Sequence, residues 1–306
     1  MPVPVLHFMK FNVVCDSSAD LYDNEIEEMG ITVVPFYISL DGEHYLKEKK
    51  EIDITDFYRE MLEHKECFPK TSMPSMKDYM DVFTSFAEKG EAVLCVCLTE
   101  KFSGSFNCAL NAKEAVLESF PDAKIEIVDS NAVTALEGIV VREAARLRDK
   151  GCDLDEAVKL LNEIIPTGRI FFTTADLKYL EHGGRIGKAS CKVGTVLNLK
   201  PILTFADGEL GKSEICRGRM TSLKKIEDKF FDYVKENELD MSDYYFGTGI
   251  GIENPDYIPF TEEIAKRMEK ENIKPYKWVK ITIGATIGVH TGPYPIGLGF
   301  MKKCNI

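Results

Sequence analysis

Ser103, Gly104 and Ser105 stand where chemistry is most easily built into this chain. Residues 92–98, Ala-Val-Leu-Cys-Val-Cys-Leu, are apolar on both faces, which predicts a buried parallel strand. Ala109, Ala112, Val116 and Leu117 then recur at helical spacing over residues 106–118. A strand therefore feeds a helix through a loop carrying two hydroxyls and a glycine. A helix start offers free N–H groups and partial positive charge, and Gly104 lets a ligand approach the backbone, so the loop can seat a carboxylate or phosphate. A serine that merely caps the helix explains the same residues. Thr71 and Ser72, in the break Lys70-Thr71-Ser72-Met73-Pro74-Ser75, add two more hydroxyls on an expected loop. His290 and Thr291 lie among glycines after an expected strand, where an imidazole could reach a ligand and donate to a carboxylate. Gly183-Gly184-Arg185-Ile186-Gly187-Lys188 reads equally as an anion loop or as a helix stop with an exposed arginine.

Two alternative chemistries are weaker. Ser103 with His290 could form a hydrolytic pair, since Ser103 follows a strand and precedes a helix, but the residues around it are not G-x-S-x-G. Gly247-Thr248-Gly249-Ile250-Gly251 follows a strand, yet it is not G-x-G-x-x-G and its helix begins several residues later.

Composition narrows the classes. The 306 residues allow two domains, and 44% hydrophobic with 29% charged residues is ordinary for a soluble globular protein. A net charge of −12 argues against nucleic acid as a partner. Nine cysteines without a C-x-x-C pair or zinc spacing point to buried thiols in a reducing, cytoplasmic setting, with no metal. The apolar runs are too short to span a bilayer, which leaves at most a transient contact with a membrane surface. Residues 1–10 lack the pattern of a secretory signal.

The elements that must position these residues read as follows. Strands are expected at residues 11–15, 31–40, 92–98 and 124–128, with a hairpin at Asp41-Gly42 and helices between. This is an α/β order, an open and mostly parallel sheet flanked by helices, over residues 1–166. Ligands of such sheets sit beyond the strands' carboxyl ends, where Asp16, Ser103 and Asp129-Ser130 fall. Residues 167–306 read as an α+β domain with a mixed or antiparallel sheet: strands at 169–174, 202–205, 211–216, 243–247 and 278–283, and helices at 176–181, 186–199, 221–237 and 261–270. Residues 285–293 and 296–301 are expected to alternate strand and glycine-rich loop.

Seven segments, taken together and in order, resemble the DegV family of bacterial fatty-acid-binding proteins. They are Asp16-Ser17-Ser18-Ala19-Asp20-Leu21, Thr71-Ser72-Met73-Pro74-Ser75, Phe102-Ser103-Gly104-Ser105-Phe106, Val128-Asp129-Ser130, the stretch from Tyr179 to Ile186, that from Leu197 to Leu203, and His290-Thr291-Gly292-Pro293. Met73 departs from the family's usual polar residue, and Tyr294-Pro295 from its usual small ones. The resemblance implies two domains with a lipid between or within them, and a protein that is not itself an enzyme. It would hold a long-chain fatty acid, with no cofactor, for a separate fatty acid kinase that makes an acyl phosphate for phospholipid synthesis. Carried over by motif, Thr71, Ser103 and His290 would meet the carboxylate, with Ser72, Gly104, Ser105 and Thr291 as neighbours. Arg185 would lie in a kinase-facing or a structural loop.

Overall fold

The first sheet grows from strands whose residues are apolar on both faces and so must be covered on both sides. The computed structural model describes residues 11–64, 68–175, 177–189 and 198–306. Strand β1 (Phe11–Asp16) is followed by helix α1 (Asp23–Met29), which Gly30 ends in the left-handed region. Strand β2 (Ile31–Val34) pairs parallel with β1. The single strand expected over residues 31–40 is in fact two. Pro35 has no N–H for a ladder, and the Phe36 N–H donates to Ser17 Oγ at 2.9 Å. Strand β3 (Tyr37–Ser39) leaves for a three-stranded antiparallel sheet with β4 (Leu46–Lys47) and β5 (Lys70–Ser72). Thr71 and Ser72 are thus edge-strand residues rather than loop residues, with Thr71 opposite Ile38. Helix α2 (Ile54–Glu63) starts on an Asp53 cap, and α3 (Met76–Ala87) on the expected capping box of Ser75 and Asp78. Strand β6 (Ala92–Cys97), buried throughout, helix α4 (Ser105–Ser119) and strand β7 (Ile125–Asp129) complete the parallel sheet, in the order β2-β1-β6-β7. Strand order reverses at β1 and β6, so their carboxyl ends open the crevice in which ligands of such sheets sit.

Helix α5 (Thr134–Lys150) is buried around most of its circumference, with Glu137, Arg142 and Glu143 among the covered residues, as a helix lying between two sheets must be. It packs on β1 and β6 of the parallel sheet and, on its other side, on two strands of a larger sheet described below, β12 and β14. Helix α6 (Leu154–Ile164) follows after Gly151. The larger, seven-stranded sheet contains β8 (Arg169–Thr173), β9 (Leu199–Ala206), β10 (Glu209–Leu210), β11 (Glu214–Arg217), β12 (Tyr244–Ile250), β13 (Lys277–Thr282) and β14 (Ile296–Lys302). It runs β10-β9-β8-β14-β12-β13 with β11 also on β9, and only β12 and β13 pair parallel. Helices α7 (Lys178–His182), α8 (Arg219–Glu236) and α9 (Tyr257–Lys270) connect its strands. The Asp207-Gly208 turn has both φ angles positive, at 52° and 80°, as a tight hairpin requires. The expected helix over residues 186–199 begins as a single 3-10 turn, Gly187–Ala189, and its remainder to residue 197 lies outside the described residues, as do Asp176 and residues 1–10.

The second half departs from expectation in two places. The strand expected at residues 243–247 runs on to Ile250 as β12, so Gly247-Thr248-Gly249-Ile250 is paired on both edges, in line with its weak match to a nucleotide loop. Within residues 285–293, expected as strand and glycine-rich loop, residues 285–291 form helix α10 (Ala285–Thr291). Distant residues override the local preference. The Thr286 N–H donates to Glu48 Oε1 at 3.0 Å, and the Gly284 N–H to Asp20 Oδ1 at 2.9 Å, so buried carboxylates satisfy the helix start. Gly288 lets α10 lie against α2, because a Cβ there would stand 2.8 Å from the Tyr58 hydroxyl and 2.9 Å from Phe57. Tyr58 in turn donates to the Ile283 carbonyl at 2.8 Å. Gly288→Ala is therefore expected to destabilise the protein by about 1–3 kcal/mol through overpacking, read as a lower urea midpoint at unchanged m-value.

Candidate functional site

Asp16 ends β1 in the interior and organises the loop that follows β6. Its Oδ2 accepts the Leu98 N–H at 2.9 Å and the Ser105 hydroxyl at 3.1 Å. These are the two ends of the Thr99–Gly104 connection, so one carboxylate fixes both. Between them, Ser103 Oγ accepts the Ser105 N–H at 3.2 Å and borders a cavity; the N-cap of α4 is Gly104, so neither serine caps the helix with its side chain. Gly104 borders it too. A Cβ at Gly104 would lie 2.9 Å from Met73 Sδ, so this glycine makes room for Met73 as well as for a ligand.

Thr71 and His290 face each other at the same end of the cavity, 219 residues apart in sequence, with Oγ1 and Nε2 separated by 3.2 Å. The imidazole is held against the backbone of Gly183, where a Cβ would fall 2.1 Å from Nδ1. Nδ1 is buried and has no hydrogen-bond partner among the described residues. A buried orphan N–H is rarer than a buried orphan acceptor, so the ring proton is assigned to Nε2, which donates to Thr71 Oγ1. The threonine hydroxyl is then free to donate onward. Burial, and secondarily the charge of Arg185, lower the His290 pKa from 6.5 to about 4, so the ring is neutral at pH 7. Arg185 lies in the cavity wall, its Nε donating to the Phe102 carbonyl at 3.0 Å and its Nη1 to the Gly183 carbonyl at 2.6 Å. It links the Ser103 loop to α7.

Thr71, Ser103, Gly104, Arg185, His290 and Thr291 thus meet at one cavity. Ser72 and Ser105 do not. Ser72 is exposed on the edge strand, and Ser105 is buried with its hydroxyl on Asp16 and Tyr79. A hydrolase needs its base on Ser103. The imidazole is instead on Thr71, and no hydrogen bond joins Ser103 to His290 among the described residues.

Away from this polar end the cavity is apolar, and with its open mouth it holds about 1150 Å³. Sequence reasoning did not locate this part. Its floor is a square of four glycines in the large sheet, Gly247 opposite Gly299 and Gly249 opposite Gly297. The roof is the start of α5, including Val133, Thr134 and Ala135. Thr134 holds φ at 49°, a costly value for a β-branched residue and the kind of strain that gathers at sites. The signal available in the sequence was G-x-G in each of two apolar stretches, Gly247-Thr248-Gly249 and Gly297-Leu298-Gly299. Among the described residues no three or more His, Cys, Asp or Glu side chains are grouped to hold a metal, and no helix is long and apolar enough to cross a membrane.

A parallel sheet and a mixed sheet separated by one buried helix, with a small third sheet carrying Thr71 to the cavity, define the class: an α/β protein of three sheets built around an internal site. The family model described as "Uncharacterised protein, DegV family" matches residues 10–303, and the chain belongs to the DegV family. A DegV domain-containing protein of Caldanaerobacter subterraneus is 32% identical over 294 residues, 96% of this chain and 99% of that one. Among solved structures, a stearic acid-binding protein from Eubacterium ventriosum is similar at 35% identity and a TM-score of 0.88, covering 96% of this chain and 98% of its own. A fatty acid-binding DegV family protein from Thermus thermophilus is similar at 27% identity and a TM-score of 0.82, covering 96% and 100%.

The depressed His290 pKa has a consequence for stability. Above pH 6.5 neither the folded nor the unfolded chain protonates this ring. Between pH 6.5 and about 4 the unfolded chain takes up a proton that the folded one refuses, so stability falls as pH falls. A shift of this size corresponds to at most about 3 kcal/mol. Urea denaturation at the two ends of this window is expected to show a larger loss for wild type than for His290→Asn, and ring NMR signals should titrate near pH 4.

Proposed function

We propose that this protein binds a long-chain fatty acid in the cavity and presents its carboxylate to a separate fatty acid kinase for acyl-phosphate formation, without catalysing a reaction itself. The observation that carries this reading is the two-ended lining: an apolar body closed by four glycines, and a polar end where Thr71, Ser103, His290 and Arg185 converge. Residues 1–166 supply the hydroxyl-bearing elements, and residues 167–306 supply the floor, the imidazole and the guanidinium. The Thr71 and Ser103 hydroxyls donate to the carboxylate, the neutral imidazole orders Thr71, and Arg185 gives a nearby positive charge without a tight buried ion pair, whose desolvation would be costly. Tail burial at about 0.8 kcal/mol per methylene gives roughly 12 kcal/mol gross for about fifteen methylenes, before ordering costs. Hydrogen bonds to the charged head group, about 1.5–3 kcal/mol each, then mainly set its position. The kinase would act in the cytoplasm, on a head group held near the cavity mouth. The fatty acid-binding relatives at 35% and 27% identity support the lipid part of this reading.

Protein purified from bacteria should release a fatty acid on denaturing extraction, identified by mass spectrometry. Protein that emerges without lipid and takes up no long-chain acid in a refilling assay would refute the carrier reading. Thr71→Ala and Ser103→Ala are expected to weaken binding modestly while slowing phosphorylation by the kinase on the order of a hundredfold, because a head group displaced by about 1 Å is out of line for transfer. Since both hydroxyls serve one carboxylate, the double variant should be non-additive. Wild-type rates in both single variants would place the carboxylate elsewhere.

The glycine floor generates a separate expectation. A Cβ at Gly247 meets only ordinary contacts, the nearest 3.4 Å away at Ala135 Cβ, so Gly247→Ala narrows the cavity between floor and roof at little cost to the backbone. Its preferred acid should be shorter than that of wild type, by about 0.8 kcal/mol for each methylene displaced, measured by competition among acids of graded length.

A further inference from the structure

Asp16 and Glu137 are both fully buried, and Ser18 stands between them. Ser18 Oγ lies 2.6 Å from Asp16 Oδ1 and 2.7 Å from Glu137 Oε2. A hydroxyl has a single proton. Were both carboxyls ionised, that proton could serve only one contact, and the other would press two bare oxygens together in the interior. The arrangement closes only if one carboxyl carries a proton.

The neighbouring donors decide which one. Asp16 accepts the Ser18 N–H at 3.1 Å, the Leu98 N–H at 2.9 Å and the Ser105 hydroxyl at 3.1 Å, besides the Ser18 hydroxyl. Burial raises the Asp16 carboxyl, but these hydrogen bonds pull it back down, so it is pushed up less than Glu137. Around Glu137 no comparable set of donors exists: its carboxyl meets Ser18 and the Asp16 carboxyl itself, and Oε1 is buried with no hydrogen-bond partner among the described residues. Arg142, further along α5, directs Nε and Nη2 to Glu25 at 3.0 and 2.7 Å. Cys15 on β1 and Cys97 on β6 face the cluster with thiol pKa values raised, Cys15's mainly by burial and Cys97's by the Cys95 contact and burial, so they add no charge. Lys49, which acts on Cys15 from a distance, is bonded to the Leu21 carbonyl at 2.6 Å and to Asp23 at 3.2 Å. Burial first, and then the charge of Asp16, push the Glu137 carboxyl well above its ordinary range.

We propose that Glu137 is a neutral carboxylic acid at physiological pH, donating to Ser18 Oγ, which donates to Asp16, and that this chain positions the loop carrying Ser103. Asp16 holds both ends of that loop, and Glu137 sits one turn into α5, whose first residues roof the cavity. A single retained proton therefore ties the roof to the head-group loop. Glu137 touches no ligand and is a positioning residue. The positioning half of the proposal rests on reading the cavity as the fatty-acid site; the protonation half does not.

Infrared difference spectra of the whole protein and binding of stearate test the two halves. At neutral pH the wild type should show the carbonyl band of a protonated carboxylic acid, unchanged across the neutral range and lost in Glu137→Gln. Glu137→Ala and Ser18→Ala should weaken stearate binding by about tenfold or more, and Glu137→Gln, which keeps a neutral donor, should restore it to within about twofold of wild type. Absence of the band, or a band that titrates in the neutral range, overturns the protonation. Wild-type affinity in Ser18→Ala overturns the positioning, and this variant decides that point should Glu137→Ala fail to fold. If wild-type protein binds no stearate at all, the lipid reading falls, and the band still decides the state of Glu137.

Discussion

A sheet that must leave room for a ligand cannot pack like the rest of an interior, and the cavity depends on how that room is made. Protein interiors are normally filled to the density of organic crystals. Here α5 is clamped between two sheets, and the sheet beneath its first turn carries hydrogen where side chains would stand, at Gly247, Gly249, Gly297 and Gly299. Strand pairing sets these glycines opposite one another, and beside Gly249 and Gly297 the room is shared with Ile281 and Phe172, which an added Cβ would meet at 2.9 and 2.7 Å. The strands around it stay rigid because the same backbone groups are fully engaged in the ladder. A void of apolar walls forfeits dispersion contacts, which an apolar occupant restores.

The polar end works by restraint of charge. The chain carries a formal charge of −12, yet the groups that meet at the cavity's end are the hydroxyl residues Thr71, Ser103 and Thr291, a neutral imidazole and a guanidinium. The buried carboxylates lie behind this surface, and each has a structural task. Asp16 holds the two ends of the Ser103 loop. Glu48 accepts the Ser17 hydroxyl at 2.5 Å, the Thr286 hydroxyl at 2.6 Å and the Thr286 N–H at 3.0 Å, and so anchors the start of α10. His290 rides on the last turn of that short helix. The position of the imidazole is therefore set from its far end, by an acid 242 residues earlier in the chain. Thr71 is placed independently, by pairing of its strand with β3.

Local signals were strong where a residue's conformation depends on its near neighbours. The all-apolar run at Ala92–Cys97, the Ser75–Asp78 box, Gly30 and Gly151 as helix stops, and the Asp207-Gly208 turn all read correctly, as did the strand-to-helix loop at Ser103. Reading failed where distant groups decided. Residues 285–291 read as strand and glycine-rich loop and became a helix because Asp20, Glu48 and the α2 aromatics receive them as one. Residues 31–40 read as one strand and divided at Pro35, each half joining a different sheet. Ser105 resembled its neighbour Ser103 on paper. The two-residue step into the helix start sends its hydroxyl into the core, while Ser103 remains at the cavity.

By itself the sequence determined the alternation of strands and helices, a mostly parallel first sheet with Asp16, Ser103 and Asp129-Ser130 at its strands' carboxyl ends, and the residue types that could meet an anion. These follow from periodicity, caps and turns, which act within a few residues. Tertiary structure alone decided that Thr71 and His290 stand 3.2 Å apart, that Arg185 joins them in the cavity wall, and that two G-x-G stretches close into one floor. Those depend on strand register and on the docking of α5 and α10. Such long-range contacts are fixed by the packing of the whole chain, so no window of neighbouring residues contains them.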